Sequence, residues 1–204
     1  MVVQIELPEL EAPTKILFGG GHRFSQEAFW TFCVANPHLR TELNANGEIV
    51  IVPPAGFESS YQSLDVARQL GNWARTDKRG KASDSSGGFT LPSGAVYAPD
   101  AAWVSNARLQ NFTRAQRQKF VALAPDFVVE VMSPSDRLAS VKAKMQEWID
   151  GGTTLAWLID AKRRRVIVYR PGMAPETLDG RNVLAGEGPV AGFILELGGI
   201  WEGT

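Results

Sequence analysis

Pro125-Asp126-Phe127-Val128-Val129-Glu130-Val131-Met132-Ser133-Pro134-Ser135-Asp136, followed at once by Arg137-Leu138-Ala139-Ser140-Val141, is the stretch whose reading decides the fold. Phe127 to Met132 is an apolar, β-branched run bounded by prolines, which reads as a buried strand. Glu130 interrupts it. An unpaired buried carboxylate is costly, so a strand that keeps one gives it a partner, a metal or a cleft. Ser133-Pro134-Ser135 ends the strand, and Ser135 or Asp136 is placed to cap a following helix.

That helix carries Leu138, Val141, Met145, Trp148 and Ile149, an i, i+3, i+4, i+7 stripe wide enough to pack on a sheet. At about 100° per residue, Lys142 and Lys144 fall on opposite flanks of the stripe, and either can curl back toward Glu130. Gly151-Gly152 stops the helix. Leu155 to Ile159 and Val166 to Arg170 then read as two strands joined by Asp160-Ala161-Lys162-Arg163-Arg164. Strand, helix, strand in this order is a βαβ unit, to which a turn adds an antiparallel strand. The fold class expected is α/β (mixed α+β), with a mixed central sheet flanked by helices and a core from about Ser83 to Arg170.

Composition sets outer bounds. The 204 residues suit a single domain with a full core, and 44% hydrophobic with 21% charged content is that of a soluble globular chain. One cysteine, Cys33, excludes intrachain disulfides and Cys-rich zinc sites, and points to a cytoplasmic setting. No apolar run is long enough to span a bilayer, and no signal peptide is evident. A net charge of −1 argues against a generic polyanion binder, although a local basic groove can hide in a neutral total.

Residues 1–23 read as an N-terminal arm ending in Gly19-Gly20-Gly21, and residues 24–204 as the domain. Ser25 begins a helix bearing Phe29, Phe32 and Cys33, ended by Asn36-Pro37. Leu39 to Leu43 and Glu48 to Val52 form a hairpin around Asn44-Ala45-Asn46-Gly47, with Glu42 in its first arm. Ser59 to Arg75 repeats Tyr61, Leu64, Ala67, Leu70 and Trp73 at helical spacing. Asp77 to Gly88 is polar and reads as a loop. Phe89 to Leu91 and Ala95 to Val104 flank the turn Pro92-Ser93-Gly94 as a second hairpin, whose long arm contains Pro99-Asp100. Asn106 to Phe120 reads as a surface helical excursion capped near Thr113, and Phe193 to Leu197 as a closing strand.

Three acids on strands stand out, Glu42, Asp100 and Glu130, with Lys142 or Lys144 on the next helix. Carboxylates gathered on adjacent strands can hold Mg²⁺, which prefers oxygen ligands and keeps several waters. A lysine beside them can orient or deprotonate water and steady developing phosphate charge, an arrangement suited to phosphodiester hydrolysis. Each residue alone has a plainer reading. An acid at a strand end is more often a turn former or ion-pair partner, and a flank lysine is usually solvated. Only the combination speaks for chemistry. His22 and His38 are too few for a zinc site, Gly19-Gly20-Gly21 lacks the Lys-Ser/Thr of a phosphate loop, and Cys33 falls on an apolar stripe.

Pro99-Asp100, the Pro125 to Ser135 block, Lys144, the strand Trp157-Leu158-Ile159-Asp160, and Arg40-Thr41-Glu42-Leu43 with Gly47-Glu48 together resemble the Uma-two family of bacterial proteins, as does Tyr169-Arg170. The resemblance covers residues 24 to 201. That family is similar to restriction endonucleases of the PD-(D/E)xK type, a mixed sheet flanked by helices with a divalent metal on strand carboxylates. The resemblance implies Asp100 and Glu130 as metal ligands for Mg²⁺ or Mn²⁺, Glu42 as an additional acid, and DNA as partner. A homodimer is compatible with it. Met132 stands two residues after Glu130, where the plain pattern has lysine, so the lysine's role passes to Lys144 on the following helix. The implied activity is a Mg²⁺-dependent endonuclease. The alternative is a catalytically silent nuclease-like scaffold that works as a nucleic-acid or protein interaction module.

Overall fold

Alternation along a strand assigns each residue to one face of its sheet, and here it separates two cores. The computed structural model describes residues 13–16 and 23–202. The chain begins with β1 (Thr14–Ile16), α1 (Gln26–Ala35), the hairpin β2 (Arg40–Leu43) and β3 (Ile49–Val52), and the long α2 (Phe57–Asp77). It continues through β4 (Gly80–Asp84), β5 (Phe89–Thr90), β6 (Val96–Tyr97), β7 (Ala101–Ser105), the short α3 (Asn106–Leu109), β8 (Phe127–Val131) and α4 (Leu138–Asp150). It closes with β9 (Leu155–Asp160), β10 (Arg165–Tyr169), β11 (Glu176–Asp179), β12 (Val183–Ala185), β13 (Ile194–Glu196) and α5 (Gly198–Glu202).

Six strands form the main sheet in the order β11-β10-β9-β8-β7-β4. Within it β8 and β9 run parallel, as a crossover through α4 requires, and the other neighbours run antiparallel. This is the mixed α/β architecture expected from the sequence. Phe127, Val129 and Val131 face one side with Trp157, against Val66 and Leu70 of α2. Val128 faces the other with Leu158, against Met145, Trp148 and Ile149 of α4. Each of these large side chains contributes about 1.5–3 kcal/mol on leaving water. A second sheet, in the order β1-β3-β2-β6-β5, packs Leu43, Ile49, Ile51 and Val96 under Phe29 and Phe32 of α1.

Local chemistry explains the turns. Gly47 closes the first hairpin at φ +73°, and an added Cβ there would meet the Arg23 Cβ at 2.8 Å. Asn44 Oδ1 accepts from the amides of Asn46 and Glu48, which fixes the same turn. Gly151 caps α4, and Gly152 turns the chain at φ +111°.

Several expectations need correction. The polar segment 77–88 contains β4, an edge strand pairing with β7; Lys81, Ala82, Ser83 and Asp84 are all at least partly exposed, so the strand carries no apolar alternation. The arm Ala95 to Val104 is two strands. Pro99 has no N–H to give, so pairing with the second sheet stops at Tyr97 and the chain crosses to the main sheet at Ala101. Neither Ser135 nor Asp136 caps α4: Arg137 holds that position without a side-chain bond. Asp136 instead accepts from the Ser133 amide at 2.7 Å and its hydroxyl at 2.9 Å. The 106–120 excursion is helical only at α3 and in a short 3₁₀ turn at Gln116–Gln118, where the Thr113 hydroxyl accepts from the Gln116 amide. Of the expected arm, Thr14–Ile16 pairs with β3, while residues 1–12 and 17–22, with Gly19-Gly20-Gly21 and His22, lie outside the described residues. Among the described residues no helix is long and apolar enough to cross a membrane.

Candidate active site

Register brings the first two acids together. Ala101 pairs with Val129 and Ala102 with Val128, so one further step sets Asp100 opposite Glu130. Residues directly opposite on an antiparallel pair have Cβ atoms about 4.5–5.5 Å apart and share a face of the sheet. Alternation puts Asp100 with Ala102 and Val128 on the α4 side, and its carboxylate also takes a hydrogen bond from Ser63 of α2. Asp100 Oδ2 also accepts the Val131 amide at 2.8 Å, fastening the start of β7 to the end of β8.

Glu42 comes from the second sheet. Leu43 points into the α1 core, so strand alternation turns Glu42 the other way, toward α4. There the Lys144 ammonium bridges two acids, 2.8 Å from Glu42 Oε1 and 2.9 Å from Glu130 Oε1. Glu42 Oε1 also lies 3.4 Å from the Ala98 amide. Of the two flank lysines, Lys144 meets the acids, and Lys142 is exposed. The side chains of Lys144, Glu42 and Glu130 are 20%, 16% and 10% exposed, so none is fully sealed from solvent.

Two contributors escaped the sequence reading. The indole of Trp148, fully buried, donates to Glu130 Oε1 at 3.0 Å, and Lys144 lies over the Tyr97 ring, 5.2 Å from its centroid. Trp148 stands four residues after Lys144, on the same face of α4; that spacing was the available signal. Both of these bonds to Glu130 fall on Oε1.

Burial pushes the Glu130 carboxyl up to about 7; Lys144 opposes this, and the negative charges of Asp100 and Glu42 add to it. Asp100 is raised as well, chiefly by burial, although the Val131 amide, Lys144, Ser63 and Arg40 pull the other way. Burial alone would depress the Lys144 ammonium. The attraction of Glu130 and Glu42 outweighs it, and Lys144 stays protonated well beyond the neutral range. Elsewhere burial raises the Cys33 thiol, whose Sγ lies 3.4 Å from the Thr41 hydroxyl.

Among the described residues no three His, Cys, Asp or Glu side chains group so as to hold a metal ion by themselves. The donor set nonetheless suits Mg²⁺, which is commonly held by one or two carboxylates with waters and phosphate completing its shell. Asp100 and Glu130 would supply two hard oxygen donors from neighbouring strands. A divalent cation bound there would offset the mutual repulsion of Asp100, Glu130 and Glu42 that raises the Glu130 carboxyl.

Comparison with known proteins bears on this geometry. The sequence model of Uma2, described as “Putative restriction endonuclease”, matches residues 26–198. Among curated proteins nothing matches the chain. A similar solved structure is described as that of a “putative nuclease belonging to DUF820” from Anabaena variabilis. The two superpose with a TM-score of 0.67 at 20% identity, over 80% of this chain and 90% of that one, which shows a common fold.

Proposed function

The chain belongs to the Uma2 family of restriction-endonuclease-like proteins, and from that premise we propose that it is a divalent-metal-dependent endonuclease acting on DNA phosphodiester bonds. The observation that carries the reading is the gathering of acids about one ammonium, with Lys144 2.8 Å from Glu42 Oε1 and 2.9 Å from Glu130 Oε1 and Asp100 near enough to act on Glu130. Asp100 and Glu130 would hold Mg²⁺ or Mn²⁺, and Glu42 assists by holding Lys144. Bound there, the metal would supply a Lewis acid for the phosphate and an acidified water. Lys144 keeps its proton, so its part is to donate: its N–H groups orient the attacking water or steady the charge that grows on the phosphate oxygens. Water oxygen bonds to phosphorus as the ester oxygen leaves.

One observation favours the alternative of a silent scaffold. Lys144 and Trp148 together satisfy Glu130 Oε1, the arrangement a purely structural buried acid would need. Cleavage of supercoiled plasmid and of single-stranded DNA, with Mg²⁺, Mn²⁺ or EDTA, separates the two. The endonuclease reading expects metal-dependent cleavage that Glu130→Gln abolishes. No cleavage of either substrate, with a melting temperature indifferent to millimolar metal, would establish the scaffold.

A further inference from the structure

The Lys144 side chain has two carboxylate neighbours and one aromatic one, and the aromatic one is itself anchored. The Tyr97 hydroxyl donates to Glu147 Oε2 at 2.6 Å, while the Ser93 hydroxyl donates to Glu147 Oε1 at 2.7 Å. Glu147 lies three residues after Lys144, on the next turn of α4. Tyr97 therefore leaves β6, passes under the ammonium and is tied back to the helix that carries it. Its ring also packs edge-on against Trp148, at 5.6 Å between centroids. Strand alternation supports the placement, because Val96 joins the α1 core and Tyr97 the α4 core.

We propose that Tyr97 is the positioning residue for Lys144: its ring forms the third wall of the ammonium's seat, and Glu147 with Ser93 holds that ring still. A lysine has four rotatable bonds and a strongly hydrated head, so two carboxylates alone leave it free to pivot toward solvent. The ring blocks that pivot. It attracts the cation without neutralising it, which keeps the charge available to a phosphate. Glu147 is thus spent on the clamp and takes no part in the carboxylate set around Glu130.

The inference rests on the reading of Lys144 as the site's ammonium, so it needs one measurement that does not depend on cleavage. In protein labelled with ¹³C-lysine, the Lys144 ε-methylene protons, lying over a ring, resonate upfield of the other lysines. Tyr97→Leu removes that displacement, Tyr97→Phe keeps most of it, and Glu147→Gln gives an intermediate position. In DNA cleavage, Tyr97→Leu lowers kcat about fivefold with KM unchanged, and Tyr97→Phe restores most of the loss. In a Lys144→Ala background, Tyr97→Leu costs nothing further. A Lys144 resonance that stays put in Tyr97→Leu overturns the proposal, as does a full fivefold loss in the Lys144→Ala background. Wild-type protein that shows the upfield resonance but cleaves no DNA refutes the endonuclease reading alone. If Tyr97→Leu does not fold, the Tyr97→Phe and Glu147→Gln resonances decide.

Discussion

The two ends of the β7–β8 pair use one device and come to different results. At one end Asp100, just before β7, accepts the amide of Val131 at the close of β8. At the other Asp126, just before β8, accepts the amide of Ser105 at the close of β7, also at 2.8 Å. Each acid follows a proline, and each locks the partner strand. Asp126 is then matched by one cation, Arg108, 3.1 Å away, which settles its charge. Asp100 instead faces Glu130, with Glu42 beyond, and Lys144 pairs directly with the latter two while Asp100 has no ion pair of its own among the described residues. A strand-end acid is therefore an ordinary structural part. What marks a candidate site is charge left over after the structural part is satisfied.

The sharpest way to break this comparison is to remove one acid from each end. We predict that Glu130→Gln lowers metal-dependent DNA cleavage about a thousandfold, roughly 4 kcal/mol of transition-state stabilisation, and abolishes the rise in melting temperature on adding Mg²⁺. Asp126→Asn should retain both. Equal losses at the two ends would mean that the surplus charge has no function.

Proton linkage gives the next largest effect. The Glu130 carboxyl is raised to about 7, so below that pH a metal must displace its proton. Apparent Mn²⁺ affinity should fall about fiftyfold from pH 7 to pH 5, the slope approaching tenfold per pH unit at the acid end, and isothermal titration calorimetry would read it. The metal-free fold should show the opposite trend. A carboxyl raised in the folded state favours folding below its unfolded value, and that contribution is lost as pH rises through about 7. Wild type should therefore lose stability relative to Glu130→Gln across this window. A flat difference in melting temperature would contradict the assignment.

Lysine substitutions sharpen the contrast further. Lys144→Ala should cost about tenfold in kcat, roughly 1.4 kcal/mol, whereas Lys142→Ala and Arg108→Ala stay within about twofold of wild type. Matched rates in Lys144→Ala and wild type would reduce Lys144 to an ion-pair partner. The smallest effect belongs to the settled end. Asp126→Asn should destabilise the fold by about 1 kcal/mol, a fall of about 2–4 °C, with cleavage unaffected.

How much of this was legible depended on how local the signal was. Glu130 could be singled out because a carboxylate within Phe127 to Val131 contradicts its neighbours. The central βαβ unit followed from the α4 stripe and the glycines behind it. Asp100 and Asp126 look alike in sequence, each a Pro-Asp before an apolar run; Asp100 stood out as an acid embedded in a hairpin arm, and resemblance to a family then implied it as a metal ligand. Lys142 and Lys144 were equivalent flanks on spacing alone, and only the resemblance singled out Lys144; the Glu42 contact that seats it joins residues 102 positions apart. β4 was hidden because it lies at the sheet edge with most of its residues partly exposed, so no apolar alternation marks it. The Trp148 indole read simply as packing, since nothing in a helical stripe says where an N–H will point.

The paired locks also have a mechanical side. Two antiparallel strands held only by their ladder can slide to a neighbouring register when sheared, but Asp100 and Asp126 tie opposite ends to the backbone of the other strand. Any slip must tear both ties together. The spacing between Asp100 and Glu130 is thus clamped like a caliper jaw, stiff along the strand axis. A pull on the chain at either terminus of the pair should load the two ties in parallel, not peel them in turn.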